Sequence, residues 1–267
     1  MTAQDGTRCS LMLPPGSCDC HIHVLDASPR ATTVPISSNF SWDDYSRESK
    51  AAGIDRVVIV QPSFYGFNNE FLVRSLKVLG ARARGVAVVP QNVSERSLIE
   101  LHEAGVRGVR FNLVSGGLGL QSLGMVADRI RPYGWHIQIF VDSESLLDLM
   151  PSFMGLGVNC VFDHMANVNR CQSTEHPGFK ALLHGMDSGR IWVKLSSALA
   201  PLDLERARLI IQRNSQRVVW GSDWPHVIYK GVPGSIGTLA ENVININKDP
   251  EITRKIFVDN PSDLYFS

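Results

Sequence analysis

Short runs rich in valine and isoleucine alternate with amphipathic stretches along almost the whole chain, and that alternation sharply limits the folds open to it. Eight runs read as buried strands: residues 18–25, 56–61, 85–89, 106–112, 136–141, 159–164, 191–196 and 217–221. Helix-like patterns lie between them at 43–52, 69–79, 95–104, 125–133, 146–154, 179–186 and 204–214. Several of these end in a glycine (Gly53, Gly80, Gly105, Gly134), where a left-handed cap is cheapest. With no linker and no second compositional region, the pattern predicts a (β/α)8 barrel of the TIM type. It is one domain over residues 18–267, after a Pro/Gly-punctuated lead at 1–17. An open doubly wound sheet is the competing architecture. It normally carries a Gly-rich phosphate loop after an early strand, and no such spacing occurs. Gly116-Gly117-Leu118-Gly119 looks closest but reads as a βα loop.

Composition matters here mainly for what it excludes. The chain has 26 Lys+Arg against 26 Asp+Glu, so no basic face for nucleic acid or a membrane surface is predicted. Any preference for an anionic ligand must then come from a local site. The 5 cysteines (Cys9, Cys18, Cys20, Cys160, Cys171) form no C-x-x-C pair and read as thiols in a reducing compartment. Residues 1–17 lack the apolar run of a secretory signal, and no stretch is apolar enough to span a membrane. A cytoplasmic protein is expected, and a homo-oligomer is compatible with the sequence.

In this fold the chemistry sits at the C-terminal ends of the strands. The first strand ends Cys18-Asp19-Cys20-His21-Ile22-His23. Strict alternation puts His21 and His23 on one face and Cys18, Cys20 and Ile22 on the other. If the Cys/Ile face packs on the helices, both imidazoles point into the barrel mouth, with Asp19 beneath them in a structural role. The sixth strand ends Val161-Phe162-Asp163-His164-Met165 and brings a third imidazole, His164. The eighth runs into Trp220-Gly221-Ser222-Asp223-Trp224-Pro225-His226, which offers Asp223 and, in the following loop, His226. Arg110 lies inside the apolar fourth strand and needs an anion or a buried partner. Ser63 follows the second strand, Gln138 is on the fifth, and Lys194 and Ser196 are on the seventh; Lys194 reads equally as a buried ion-pair partner.

The His21-x-His23 pair, His164 and the Trp220–His226 segment together resemble the amidohydrolase superfamily, and within it the branch that opens or isomerises lactones. The resemblance runs from Cys18 to Tyr265. It implies a barrel hydrolase acting on a small anionic lactone, of sugar-acid or muconate type. Asp223 would be the general base, and His21, His23 and His164 would polarise the carbonyl. Arg110, Ser63, Gln138, Lys194 and His226 would contact the substrate. Binuclear members place a Lys on strand four and a His on strand five as metal ligands, where this chain has Arg110 and Gln138. No metal is therefore expected to be required; the alternative is one zinc on His21, His23 and Asp223. The arginines that read a second carboxylate in the pyrone dicarboxylate enzymes are missing after Asn112 and after Lys194. A lactone isomerase, a zinc-dependent decarboxylase and a non-catalytic binding barrel are the competing readings.

Overall fold

The valine- and isoleucine-rich runs become eight parallel strands that pair in sequence order. They are β1 (Cys18–Ile22), β2 (Arg56–Val60), β3 (Ala83–Ala87), β4 (Val106–Asn112), β5 (His136–Phe140), β6 (Cys160–Phe162), β7 (Ile191–Leu195) and β8 (Val218–Trp220). The computed structural model describes residues 13–25, 42–114, 119–170, 173–196, 202–226 and 234–267. The loop at 115–118, Cys9 and Cys171 lie outside the described residues.

Helices α1 (Trp42–Ala52), α2 (Glu70–Leu79), α3 (Glu95–Glu103), α4 (Leu123–Ile130), α5 (Leu146–Met154), α6 (Pro177–Met186) and α7 (Leu204–Asn214) follow the successive strands. The sequence reading did not single out α8 (Ile236–Asn247), capped by the Ser235 side chain, or the short α9 (Pro250–Arg254). The four expected helix-ending glycines all have positive φ. Strand β3 begins two residues earlier than expected. Gly85 looked like its boundary but is an interior residue: a Cβ there would come within 2.7 Å of Leu76, so the missing side chain lets α2 pack on the strand.

Apolar residues sort into two layers. Val57, Ile59, Ile137, Ile139, Val193 and their like pack outward against the helices. The alternate positions, Val58, Val60, Val86, Val161, Trp192 and Val219, fill the lumen with Cys18 and Cys20. Leu264 and Tyr265, from the C-terminal turn Ser262–Phe266, join that inner cluster and plug the end of the barrel opposite the site. Burying each such side chain stabilises by roughly 1.5–3 kcal/mol.

The lumen position of Cys18 and Cys20 corrects the strict alternation expected for β1. Asp19 pairs with Val57 and Ile22 with Ile59, so β1 carries one extra residue between them. That bulge lets Cys20 and His21 both face inward while Ile22 packs on the helices. Asp19 turns the other way, toward α1, where its carboxylate accepts from Tyr45. The structure therefore sets it in the wall and not beneath the histidines, where the sequence led to it being expected. The three cysteines within the described residues are buried and free.

The barrel closes where β8 returns to β1. Past the last strand residue, the Asp223 N–H donates to the His21 carbonyl at 2.9 Å and the His23 N–H to the Trp224 carbonyl at 2.8 Å. Gly221 permits this approach, since a Cβ there would lie 2.5 Å from the His21 Cβ. Closing the barrel therefore sets Asp223 beside both histidines.

Candidate active site

The end of β6 departs from expectation in a way that shapes the site. The strand stops at Phe162 and does not run to residue 164. His164, Met165, Ala166 and Asn167 follow with φ between 50° and 54°, four consecutive left-handed residues without a glycine. Each such residue costs roughly 1–2 kcal/mol. The turn is offset by burial and by the Asn167 amide donating to the Val141 carbonyl at 2.9 Å. Had the strand continued, alternation would have turned Asp163 inward and His164 out. The turn brings both into the site, as the bulge does for β1.

Four side chains meet at the mouth. One Asp223 oxygen lies 3.5 Å from His21 Nε2, 3.7 Å from His23 Nε2 and 3.9 Å from His164 Nε2. The His21 and His23 Nε2 atoms are 3.4 Å apart. His23 reaches solvent, with 12% of its side chain exposed, whereas His21 is fully buried. The other ring nitrogen of each imidazole is occupied: His23 Nδ1 by the Val60 carbonyl at 2.8 Å, His164 Nδ1 by the Ser196 hydroxyl at 2.9 Å. His21 Nδ1 faces an Asp163 oxygen at 3.3 Å.

Burial pushes the Asp223 carboxyl well above the usual carboxylate range, although Arg110 and Lys194 pull it down. Burial lowers all three histidines: His23 and His164 to about 3, His21 well below its usual value despite the pull of Asp163. At neutral pH the imidazoles are therefore neutral. A neutral His23 that donates Nδ1–H to Val60 presents a lone pair at Nε2. That lone pair faces Asp223, and a proton or a cation is what can sit between them. The donor set fits a single zinc-type ion, since ligand atoms of His21, His23 and Asp223 lie within 4.8 Å of one another, as do those of His21, Asp163 and His164.

Asp163 was missed by the sequence reading, although Val161 already placed it on an inward position. It is fully buried, with Lys194 Nζ at 3.2 Å, Arg110 Nε at 3.3 Å and Gln138 Nε2 at 3.0 Å. Burial alone would raise its carboxyl, but Lys194, His21 and Arg110 outweigh burial and hold it well below the usual range. Lys194 and Gln138 are both fully buried and bonded to each other at 2.9 Å. Arg110 also reaches the exposed Ser63 hydroxyl at 3.4 Å, and Asn112, a second residue the sequence reading passed over, donates to that hydroxyl at 2.9 Å. His226 lies partly buried in the loop after Asp223, its N–H on the Asp223 carbonyl at 2.7 Å and its ring lowered by burial to about 4. His136 stays low on β5, as expected, packed edge-on to Tyr265.

The amidohydrolase family profile matches residues 18–266. The chain belongs to the amidohydrolase family. A 2-pyrone-4,6-dicarboxylate hydrolase of Comamonas testosteroni is 32% identical over 278 residues, covering 95% of this chain and 91% of that protein. A D-galactarolactone isomerase of Agrobacterium fabrum is 26% identical and covers 97% of this chain and 94% of its own length. A crystal structure from Pseudomonas putida, described as a 2-pyrone-4,6-dicarboxylic acid hydrolase, superposes with a TM-score of 0.83 at 27% identity, covering 95% of this chain and 98% of that one. No helix among the described residues of this amidohydrolase is long and apolar enough to cross a membrane.

Proposed function

We propose that this amidohydrolase opens the ring of a small carboxylated lactone, with Asp223 as general base. The observation that carries the reading is the buried Asp223 oxygen ringed by three imidazole Nε2 atoms at 3.5 to 3.9 Å. The reading gives this cluster one shared proton, in keeping with burial raising the Asp223 carboxyl well above its usual range. Moving that proton from Asp223 to an Nε2 creates a carboxylate base and an N–H donor in a single step. The N–H then stabilises the oxyanion as a water attacks the lactone carbonyl and gives its proton to Asp223. Collapse of the intermediate breaks the ring C–O bond, and Asp223 returns its proton to the departing alkoxide. Arg110, with Ser63 and Asn112 beside it, holds the substrate carboxylate at the mouth. That one guanidinium, without the further arginines expected for a dicarboxylate, favours a sugar-acid or muconate-type lactone.

A zinc-type cation would be held by His21, His23 and Asp223, and when bound it would supply Lewis acidity and an acidic water. Our reading assigns those tasks to the shared proton, with no metal required. Two cations, Arg110 and Lys194, already lie within 3.3 Å of Asp163, which disfavours adding a dication. Proton transfer without hydrolysis, by the same cluster, is the second reading, supported by the similarity to the galactarolactone isomerase.

The test is a panel of sugar-acid and muconate-type lactones assayed with chelator-treated protein and with Asp223→Asn. Metal-free turnover by the native chain is expected, with a loss on the order of 10²–10⁴-fold in kcat for the variant. Unchanged kcat in the variant would overturn the assignment of Asp223. Activity lost on chelation and restored by zinc would overturn the metal-free mechanism, and an isomerised lactone with no ring-opened product would favour the second reading.

A further inference from the structure

We propose that the Lys194 ammonium closes one of the two metal-type ligand groups at the barrel mouth, so that the mouth holds at most one divalent ion. Shortening Lys194 then opens the closed place to a zinc-type cation. The inference needs no substrate and stands apart from the lactonase reading.

His21 belongs to both groups. It forms the first with His23 and Asp223, and the second with Asp163 and His164. In the first group the carboxyl meets imidazoles: among the described residues the ion-pair partners of Asp223 are His21, His23 and His164. In the second group a cation is already in place. Lys194 Nζ, Asp163 Oδ1 and His21 Nδ1 form a nearly equilateral triangle with sides of 3.2, 3.3 and 3.5 Å. Zinc bonds nitrogen and oxygen at roughly 2.0–2.2 Å, so an ion bonded to both His21 Nδ1 and Asp163 Oδ1 would lie within about 4 Å of the ammonium nitrogen. In a buried place with no water to screen them, a dication and an ammonium repel strongly at that separation.

The ammonium is fixed where it stands. Lys194 is fully buried, and Gln138 clamps it to the carboxylate: the amide oxygen accepts from Nζ at 2.9 Å while the amide nitrogen donates to Asp163 Oδ2 at 3.0 Å. Arg110 Nε lies 3.3 Å from that same Oδ2, so each Asp163 oxygen faces a cation. One carboxylate charge shared by two cations leaves nothing to compensate a dication. The ammonium thus balances Asp163 as a metal would, but it has no open coordination position with which to polarise a carbonyl or acidify a water. Lys194→Ala reverses the situation. It leaves Asp163 Oδ1, His21 Nδ1 and Gln138 Oε1 around the vacated position, with His164 in the same group. A buried carboxylate stripped of its ion-pair partner gains most from a new cation.

The experiment equilibrates three full chains with zinc: the native protein, Lys194→Ala and the double variant Lys194→Ala/Asp163→Asn. Equilibrium dialysis counts the ions, and anomalous diffraction from zinc-soaked crystals places them. Lys194→Ala is expected to bind one zinc more per chain than the native protein, on Asp163 and His21, with an affinity for that place at least about tenfold above the native chain's. The gain should vanish in the double variant. A zinc bonded to Asp163 in the native chain overturns the proposal, and so does a folded Lys194→Ala that gains no ion there. Should Lys194→Ala fail to fold, Lys194→Gln decides, because its shorter side chain keeps hydrogen bonds in the buried position without the charge. Zinc on Asp163 is expected in that variant, and its absence overturns the proposal. A native ion confined to His21, His23 and Asp223 agrees with the proposal, which allows one, and counts only against the metal-free mechanism. The position of the ion therefore separates failure of that mechanism from failure of this inference.

Discussion

The ends of β6 and β8 carry the same functional group in opposite states. Asp163 and Asp223 are both buried, and desolvation pushes both carboxyls upward. At β6 the neighbours are Lys194, Arg110 and the Gln138 amide, all of which favour the anion. At β8 the nearest neighbours are imidazole nitrogens lowered by their own burial, and burial together with the charge of Asp163 keeps Asp223 raised against the pull of Arg110 and Lys194. Asp163 is therefore held well below the usual range and Asp223 well above it. Two carboxyls whose titrations are pushed in opposite directions at one site suit different tasks: one favours a fixed charge, the other a proton that can be gained and lost.

The largest effect is expected at Lys194, the fully buried one of the two cations beside Asp163. Lys194→Met leaves Asp163 buried with less compensation and should cost about 3–5 kcal/mol, read from urea unfolding at neutral pH. Adding Asp163→Asn to that variant should recover part of the loss, because the uncompensated charge is gone. A Lys194→Met protein as stable as the native one would erase the distinction between the two strand ends.

Asp19 sharpens the comparison as an intermediate case. It is also fully buried, but its partners are neutral donors: the Ser222 hydroxyl and N–H, the Tyr45 hydroxyl and the His21 N–H. Burial raises it to about 6 and these bonds restrain the rise. A raised folded-state carboxyl contributes stability that is complete below about 3.8 and lost as pH climbs through about 6. That displacement corresponds to about 3 kcal/mol. Asp19→Asn does not titrate, so the native protein's stability relative to this variant should fall by about 3 kcal/mol between roughly pH 3.5 and 7.5. A constant difference across that range would mean that neutral donors hold a carboxylate as well as cations do.

The barrel was legible in the sequence because burial on both faces makes parallel strands read as continuous apolar runs. The residue types of the site were legible too, since His21, His23, His164 and Asp223 are polar residues at the ends of such runs. Two local departures from regular backbone hid the rest. The extra residue in β1 moved Cys18 and Cys20 into the lumen and Asp19 into the wall. The left-handed turn after Phe162 turned two adjacent residues inward, and alternation had seemed to allow only one. Asp163 was overlooked for that reason. Charge partners could not be read because Lys194, Gln138 and Asp163 come from three strands and meet only when the barrel closes.

Ser196 supplies the smallest test and separates charged from neutral orientation. Its hydroxyl is 2.9 Å from His164 Nδ1 and can donate or accept, so it steers the ring without dictating the tautomer. A neutral hydrogen bond of this kind is worth about 1 kcal/mol, much less than a buried ion pair broken on one side. Ser196→Ala should therefore lower stability by about 1 kcal/mol and kcat by no more than about tenfold. His164 is expected to stay in place because its left-handed turn, tied by Asn167 to Val141, fixes the backbone independently of Ser196. Unfolding and steady-state rates of this variant, set beside those of Lys194→Met, measure the difference directly. A kcat loss for Ser196→Ala on the order of 10³-fold would mean that this neutral hydroxyl, and not the left-handed turn, sets the orientation of His164.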